Sequence, residues 1–321
     1  MMTSRGAASA VGIVLRRSPR QLAAEPFYGE LIGGLEEVLA PTGRQVLMQV
    51  VDGMPRELES YRRWAANGAV GAVVLVDLVP DDPRPELIVS LGLPGIILGE
   101  PEPGTGLATV RNAGYEPMVD AVSRLVALGH TRIARVTGPA AFMHTQERTR
   151  AYLDTAASLG ISATLEVGDY SGESGADATR RLLAAPVPPT AIIYDNDVMA
   201  IAGLAAATEL GVAVPGALSI LAWDDSQFCR LTTPPVSAMS HDVHARGALA
   251  AHVLLEVLDG QAPRDVLAEA PVFVARGSTA AAPTGAAPAM SAAVESAAVE
   301  SAGARSAAAE SAGSASAAMT G

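Results

Sequence analysis

The sequence predicts an α/β fold of two lobes, each a doubly wound parallel sheet, and three observations predict it. Apolar runs alternate with amphipathic stretches from the start of the chain. Repeated strand–helix–strand units of this kind need parallel strands joined by crossover helices. The runs are continuous in Val, Ile and Leu, as in sheets covered on both faces. The pattern then restarts near Gly129, which gives two successive open halves. A chain of 321 residues with 49% hydrophobic content has material for two lobes of roughly 100–150 residues and a tail.

Each element follows from local pattern. Ala10–Leu15 reads as a buried strand, and Phe27, Leu31, Leu35 and Val38 share one helical face. Val46–Val51 is a second strand. Glu57–Asn67 is a polar-faced helix ending near Gly68, followed by strands at Ala72–Val76, Gly95–Leu98 and near Val110. In the second half, strands are expected at Arg132–Thr137, Ala163–Val167, Ala191–Tyr194 and Leu218–Ala222. Helices fall between them at Thr145–Leu159, Glu173–Leu183 and Val198–Leu210. A strand at Val236–Ser240, a helix at Ala245–Leu258 and a strand at Pro271–Val274 close the folded part. From about Ala280 the composition collapses to Ala, Ser, Gly, Glu and Pro, which offers too little apolar surface to offset the entropy of ordering. Residues 1–9 and 280–321 are therefore expected to be disordered.

Composition narrows the function. A net charge of -12 argues against broad nucleic-acid binding by these residues alone. The single cysteine, Cys229, excludes an intrachain disulfide and is expected as a small core or loop residue. No apolar run reaches the roughly 18–20 residues that cross a bilayer, and no cleavable leader fits the start, so the expected location is cytoplasmic, with no membrane partner. Phosphate-loop, nucleophile-elbow and paired-cysteine patterns are absent from the sequence, so no enzyme activity, cofactor or metal is expected. Asp195, Asp197, Asp224 and Asp225 could in principle hold a hard cation, but they look equally like loop and cap residues.

In open α/β sheets, ligands bind beyond the carboxyl ends of the strands. The residues found there are Arg16, Phe27 and Tyr28, then the loop leading to Arg148, then Asp169 and Tyr170. Asp195, Asn196 and Asp197 follow, then Trp223, Asp224 and Asp225, then His241. Aromatic rings with carboxylates, amides and Arg suit a sugar or polyol, though Arg can also fork onto a carboxylate or phosphate and a purine would stack equally well. Asn196 is placed to cap the helix that follows it, which is compatible with ligand contact. Trp223 and His130 are expected to pack, and Asp225 to support its turn.

Several motifs resemble one family. Thr190-Ala-Ile-Ile-Tyr-Asp-Asn-Asp-Val-Met-Ala and Val214-Pro-Gly-Ala-Leu-Ser-Ile-Leu-Ala-Trp-Asp-Asp resemble the effector-binding core of LacI-type (lactose repressor-like) transcription regulators. Gly129-His-Thr-Arg-Ile-Ala, Gly138-Pro, Arg148-Thr-Arg-Ala-Tyr and Thr233-Pro-Pro-Val-Ser-Ala-Met-Ser-His-Asp are similar to further parts of it. The resemblance covers roughly residues 10–279. It implies a periplasmic-binding-protein-like fold and an effector site at Phe27, Tyr28, Arg148, Tyr170, Asn196, Asp197, Asp224 and His241. It also implies a carbohydrate-like small-molecule effector, a homodimer, and hinge closure that transmits the signal to DNA binding. The implied first lobe is 10–128 with 241–260, and the second is 129–240 with 261–279. Crossings are then expected near Leu128–Arg132, Val236–His241 and Gln261–Val266. There are three departures from the family pattern. The Arg16–Pro26 loop is long, Arg111-Asn112 stands where Asp-Asn is usual, and the first core strand begins at Ala10, where no helix–turn–helix fits ahead of it. Operator binding is thus expected only with such a segment upstream, and the alternative reading is a stand-alone sugar-binding or co-regulator module.

Overall fold

The computed structural model describes residues 10–283. The expected disorder of 1–9 and 284–321 lies outside the described residues. Strands are numbered along the chain. The first sheet holds β1 (Ala10–Arg16), β2 (Gln45–Val51), β3 (Ala72–Leu75), β4 (Gly95–Leu98), β5 (Ala108–Arg111) and β11 (Asp265–Leu267). Its order is β11-β5-β4-β3-β1-β2, parallel throughout. The second sheet holds β6 (Arg132–Thr137), β7 (Ser162–Val167), β8 (Ala191–Tyr194), β9 (Ser219–Trp223), β10 (Ser237–Ser240) and β12 (Val272–Val274). Its order is β12-β10-β9-β8-β6-β7, with only β12 antiparallel.

Helices cover both faces of each sheet, as the unbroken apolar strands require. In the first lobe they are α1 (Pro19–Ala24), α2 (Pro26–Leu39), α3 (Met54–Asn67), α4 (Pro83–Ser90) and α10 (Val243–Leu258). The second lobe carries α5 (Tyr115–Ala127), α6 (Met143–Leu159), α7 (Gly172–Leu183), α8 (Asp197–Glu209) and α9 (Gln227–Leu231). Leu31, Leu35 and Leu39 of α2 meet Ala250, Ala251 and Leu254 of α10 over the first sheet. Two glycines set that approach: a Cβ on Gly34 would lie 1.9 Å from the His244 carbonyl oxygen, and one on Gly247 2.2 Å from that of Leu31. Backbone contact this close explains glycine inside helices, where it costs about 1 kcal/mol against alanine. The expected stop of α3 is met by Gly68 at φ 65°.

Four expectations are corrected. The apolar face of α5 (Met118, Ala121, Val122 and Leu125) packs with Ile133, Tyr152 and Trp223 of the second lobe. The first crossing therefore lies between β5 and α5, not near Leu128–Arg132. The last crossing lies between β11 and β12, because Asp265, Val266 and Leu267 add to the open edge of β5 opposite Thr109, Val110 and Arg111. Residues 261–267 thus belong to the first lobe. The Arg16–Pro26 segment contains α1, started by a capping box in which Ser18 and Gln21 satisfy each other's backbone amides. The tail begins later than Ala280: the Ala280 amide donates to Ser219 Oγ and the Ala282 amide to the Leu128 carbonyl.

The three crossings share one logic. β5, β10 and β11 each leave their sheet at the carboxyl end, so all the connections gather at the cleft between the lobes. A chain entering the second sheet from that end must run against its strands, which is why β12 is antiparallel.

Candidate functional site

The carboxyl ends of both sheets face a narrow cleft lined by residues of both lobes. Among the described residues, its first-lobe wall is Arg17, Glu25, Phe27, Tyr28, Asp77, His241 and Arg246. Asn112 comes from the first crossing, and His144, Arg148, Tyr170, Asp195, Asn196 and Asp224 from the second lobe. Seven of the eight expected site residues therefore meet in one place. Asp197 does not: its carboxylate accepts from the Ser226 amide at 3.2 Å and lines an adjacent groove with Phe27, Asp224 and His241. Its position at the start of α8 turns it toward the α9 loop, and burial with the nearby Asp224 charge pushes its pKa up to about 6.

The lobes touch across this cleft. The Arg17 guanidinium lies 5.4 Å from the Tyr170 ring centre and 5.5 Å from that of Phe142, both in the second lobe. The Met143 amide donates to the Leu78 carbonyl, and Gln21 Nε2 to Asp169 Oδ2 at 3.3 Å.

Several lining groups are already occupied. Arg17 pairs with Asp77 at 2.9 Å and Glu25 at 3.2 Å, and donates to Tyr28 Oη. Tyr28 Oη in turn donates to Asp77 Oδ2. Burial alone would raise the Asp77 pKa, but Arg17 and the other groups around it outweigh burial and hold it low. Glu25 goes the other way: burial dominates and pushes it up to about 7. Asn196 uses its Oδ1 to cap α8 through the Met199 amide and its Nδ2 to hold the Tyr170 carbonyl. That bond steadies Tyr170, whose φ of 71° turns its ring into the cleft and whose hydroxyl sits 2.7 Å from His144 Nε2. Burial lowers the His144 pKa to about 4, so this ring is neutral.

A relay runs through His241. Arg246 Nη2 donates to Nδ1 at 2.8 Å, and Nε2–H donates to Asp224 Oδ1 at 2.6 Å. A ring nitrogen that accepts from a guanidinium carries no proton, so the neighbours fix a neutral tautomer. Burial lowers the His241 pKa in the same direction.

Three polar atoms of the residues lining this cleft have no such partner. Asn112 Oδ1, Arg148 Nε and Arg246 Nε are buried without a hydrogen bond, and all three residues line the cleft. Buried polar atoms are ordinarily satisfied, so three open ones at one cleft mark where a ligand's polar groups belong. Arg148 is held by stacking on Trp223, its guanidinium 4.1 Å from the ring centre.

Other polar residues are structural. Arg16 pairs with buried Glu57. Arg135 grips Asp195 through two hydrogen bonds of 2.8 and 2.7 Å. Asp225 pairs with Arg276, and His130 bonds Thr190 and Ser219. Cys229 is buried, with its thiol pushed up to about 12. Among the described residues no group of three His, Cys, Asp or Glu is placed to hold a metal, and no helix is long and apolar enough to cross a membrane.

Arg17, Asp77, Asn112, His144 and Arg246 were not among the expected site residues. Asp77 and Asn112 directly follow strands, so the strand-end rule would have found them. His144 and Arg246 sit in the first turns of helices and carry no such signal.

Residues 122–279 match the model of the periplasmic binding protein-like domain. The transcriptional regulator MalR of Streptomyces coelicolor is 32% identical over 271 residues, 80% of this chain and 78% of that protein. The chain belongs to the LacI family of transcriptional regulators. A LacI family regulator from Bifidobacterium animalis superposes with a TM-score of 0.78 at 34% identity, over 86% of this chain and 99% of the other. A complex of the regulator CelR with cellobiose superposes at 0.76 with 25% identity, over 84% of each chain. The two-lobe core is thus shared with these relatives, and their names favour a regulator over a stand-alone sugar-binding module.

Proposed function

We propose that this regulator senses a sugar in the interlobe cleft, and that ligand holds the lobes together and so alters operator binding by a homodimer. The observation that carries the reading is the convergence of Asn112 Oδ1, Arg148 Nε and Arg246 Nε, open hydrogen-bonding atoms contributed from the crossing and from both lobes. A ligand that meets groups on both sides is bound more tightly by the closed arrangement and shifts the population toward it. Phe27 and Tyr170 supply apolar ring surface, Arg148 and Asp224 directional polar contacts, and Asn196 and His241 position the groups beside them. The cellobiose complex of CelR supports a carbohydrate as the ligand class. The reading is of binding without turnover, in a protein that works in the cytoplasm.

The test is a thermal-shift panel of mono- and disaccharides against purine and pyrimidine nucleosides, followed by operator gel shifts with the ligand that binds. Stabilisation by a sugar, lost in Arg148→Met, is expected. Stabilisation by nucleosides alone would refute the sugar assignment, and sugar stabilisation unchanged in Arg148→Met would refute the cleft.

A further inference from the structure

The arginines around the cleft are not equivalent. Arg17 is matched in place by Asp77 and Glu25, and Arg135, behind the cleft, by Asp195. Arg148 and Arg246 have no carboxylate within ion-pairing distance among the described residues. Arg148 rests on Trp223, which orients its charge without neutralising it. Arg246 is 8% exposed, and its one hydrogen-bond partner is the neutral ring of His241. Each of the two keeps a buried Nε with nothing to donate to.

They line the same cleft from opposite lobes, Arg148 on α6 and Arg246 on α10. Burial pushes the Arg246 pKa down to about 10, with Asp224 opposing and the Arg148 charge adding to the fall. Two mutually repelling guanidiniums at a buried site are unfavourable unless something brings a negative charge between them. Of the nearby carboxylates, Asp77 takes Arg17 and Asp195 takes Arg135, while Asp224 is bonded only by the neutral His241 and sets one negative charge against the two cations. A neutral sugar would satisfy donors and leave one of the two positive charges uncompensated. A planar guanidinium fork suits an oxyanion.

We infer that the effector is an anionic carbohydrate whose carboxylate or phosphate lies between Arg148 and Arg246, with a ring hydroxyl donating to Asn112 Oδ1. The inference rests on the sugar reading above and adds the charge. It also gives the closed form a specific latch, because the anion pairs with one cation on each lobe.

Isothermal titration of the full chain tests it, with D-glucuronate, D-gluconate and glucose 6-phosphate against D-glucose, cellobiose, adenosine and cytidine. At least one acidic sugar is expected to bind about tenfold or more tighter than its neutral counterpart, and glucuronate against glucose 6-phosphate separates carboxylate from phosphate. Arg246→Met should weaken the acidic sugar by about 10–150-fold, the range for losing a charged hydrogen bond, and the neutral sugar by a clearly smaller factor. Arg246→Gln, which keeps a donor for His241 without the charge, gives the same reading if the methionine variant does not fold. Neutral sugars binding as tightly as acids would overturn the anionic inference and leave the sugar reading standing. Nucleosides binding in place of any sugar would overturn the sugar reading and this one with it, as would a panel in which nothing binds.

Discussion

Replacing Arg148 by methionine should separate stability from binding. Among the described residues the direct contact of the Arg148 guanidinium is its stacking on Trp223 at 4.1 Å, with a longer-range attraction to Asp195. Such cation–π contacts contribute about 0.5–2 kcal/mol. Against this stands a buried Nε with no acceptor, a penalty of about 1–3 kcal/mol that methionine removes. Methionine also keeps most of the apolar stem over the ring. The two terms nearly cancel, so ligand-free stability should change by no more than ~1 kcal/mol in either direction. Binding should fall by about 10–150-fold. Urea unfolding of the ligand-free protein, with titration of the bound sugar, measures both. A loss above ~3 kcal/mol without ligand, the scale of a broken buried ion pair, would refute the view that this arginine is held open for ligand. Arg135→Met is the internal contrast. It strands Asp195 fully buried without its cation and should cost about 3–5 kcal/mol with ligand absent.

Other outcomes follow from the same contacts. Asp224 sits at φ 67° and accepts from His241, so Asp224→Asn, which tolerates that backbone and keeps an acceptor, should fold normally. Asp224→Ala should lose about 2–4 kcal/mol by chemical unfolding, from the unpaired His241 N–H and the strained backbone. Glu25 holds its proton more tightly folded, near pH 7 against an ordinary 4.5. It therefore contributes stability below about pH 4.5 that is lost as pH rises toward 7, on the order of 3 kcal/mol. Wild type minus Glu25→Gln stability, measured across that window, should slope downward with pH, and a flat difference would contradict the shift. Gly34→Ala drives a methyl to 1.9 Å from the His244 carbonyl oxygen and should cost at the upper end of ~1–3 kcal/mol, read from its unfolding midpoint.

Sheet content and much of the cleft were legible in the sequence, because strand ends point to ligands wherever strands are parallel. Asp224, Tyr170, Asn196 and His241 were reached that way. Assigning segments to lobes was not possible by the same means. The apolar face of α5 suits either sheet equally, and only the path out of β5 decides. β11 has one half-buried side chain, Val266, between two exposed ones, so its strand character comes from the ladder β5 offers and not from its own pattern. Arg246 looked like a charged residue in the first turn of an amphipathic helix, and its burial depends on how α10 meets the opposite lobe. The use of Asn196 as a cap was visible, while its second bond to the Tyr170 carbonyl needed the fold.

A crystal structure of the chain with the tightest-binding sugar of the panel tests the central claim most directly. The sugar is expected between the lobes, within hydrogen-bonding distance of Arg148, Arg246 and Asn112, with the Tyr170 and Phe27 rings beside it. A sugar bound outside this cleft, or inside it with Asn112 Oδ1 and both arginine Nε atoms still unpartnered, would contradict the account.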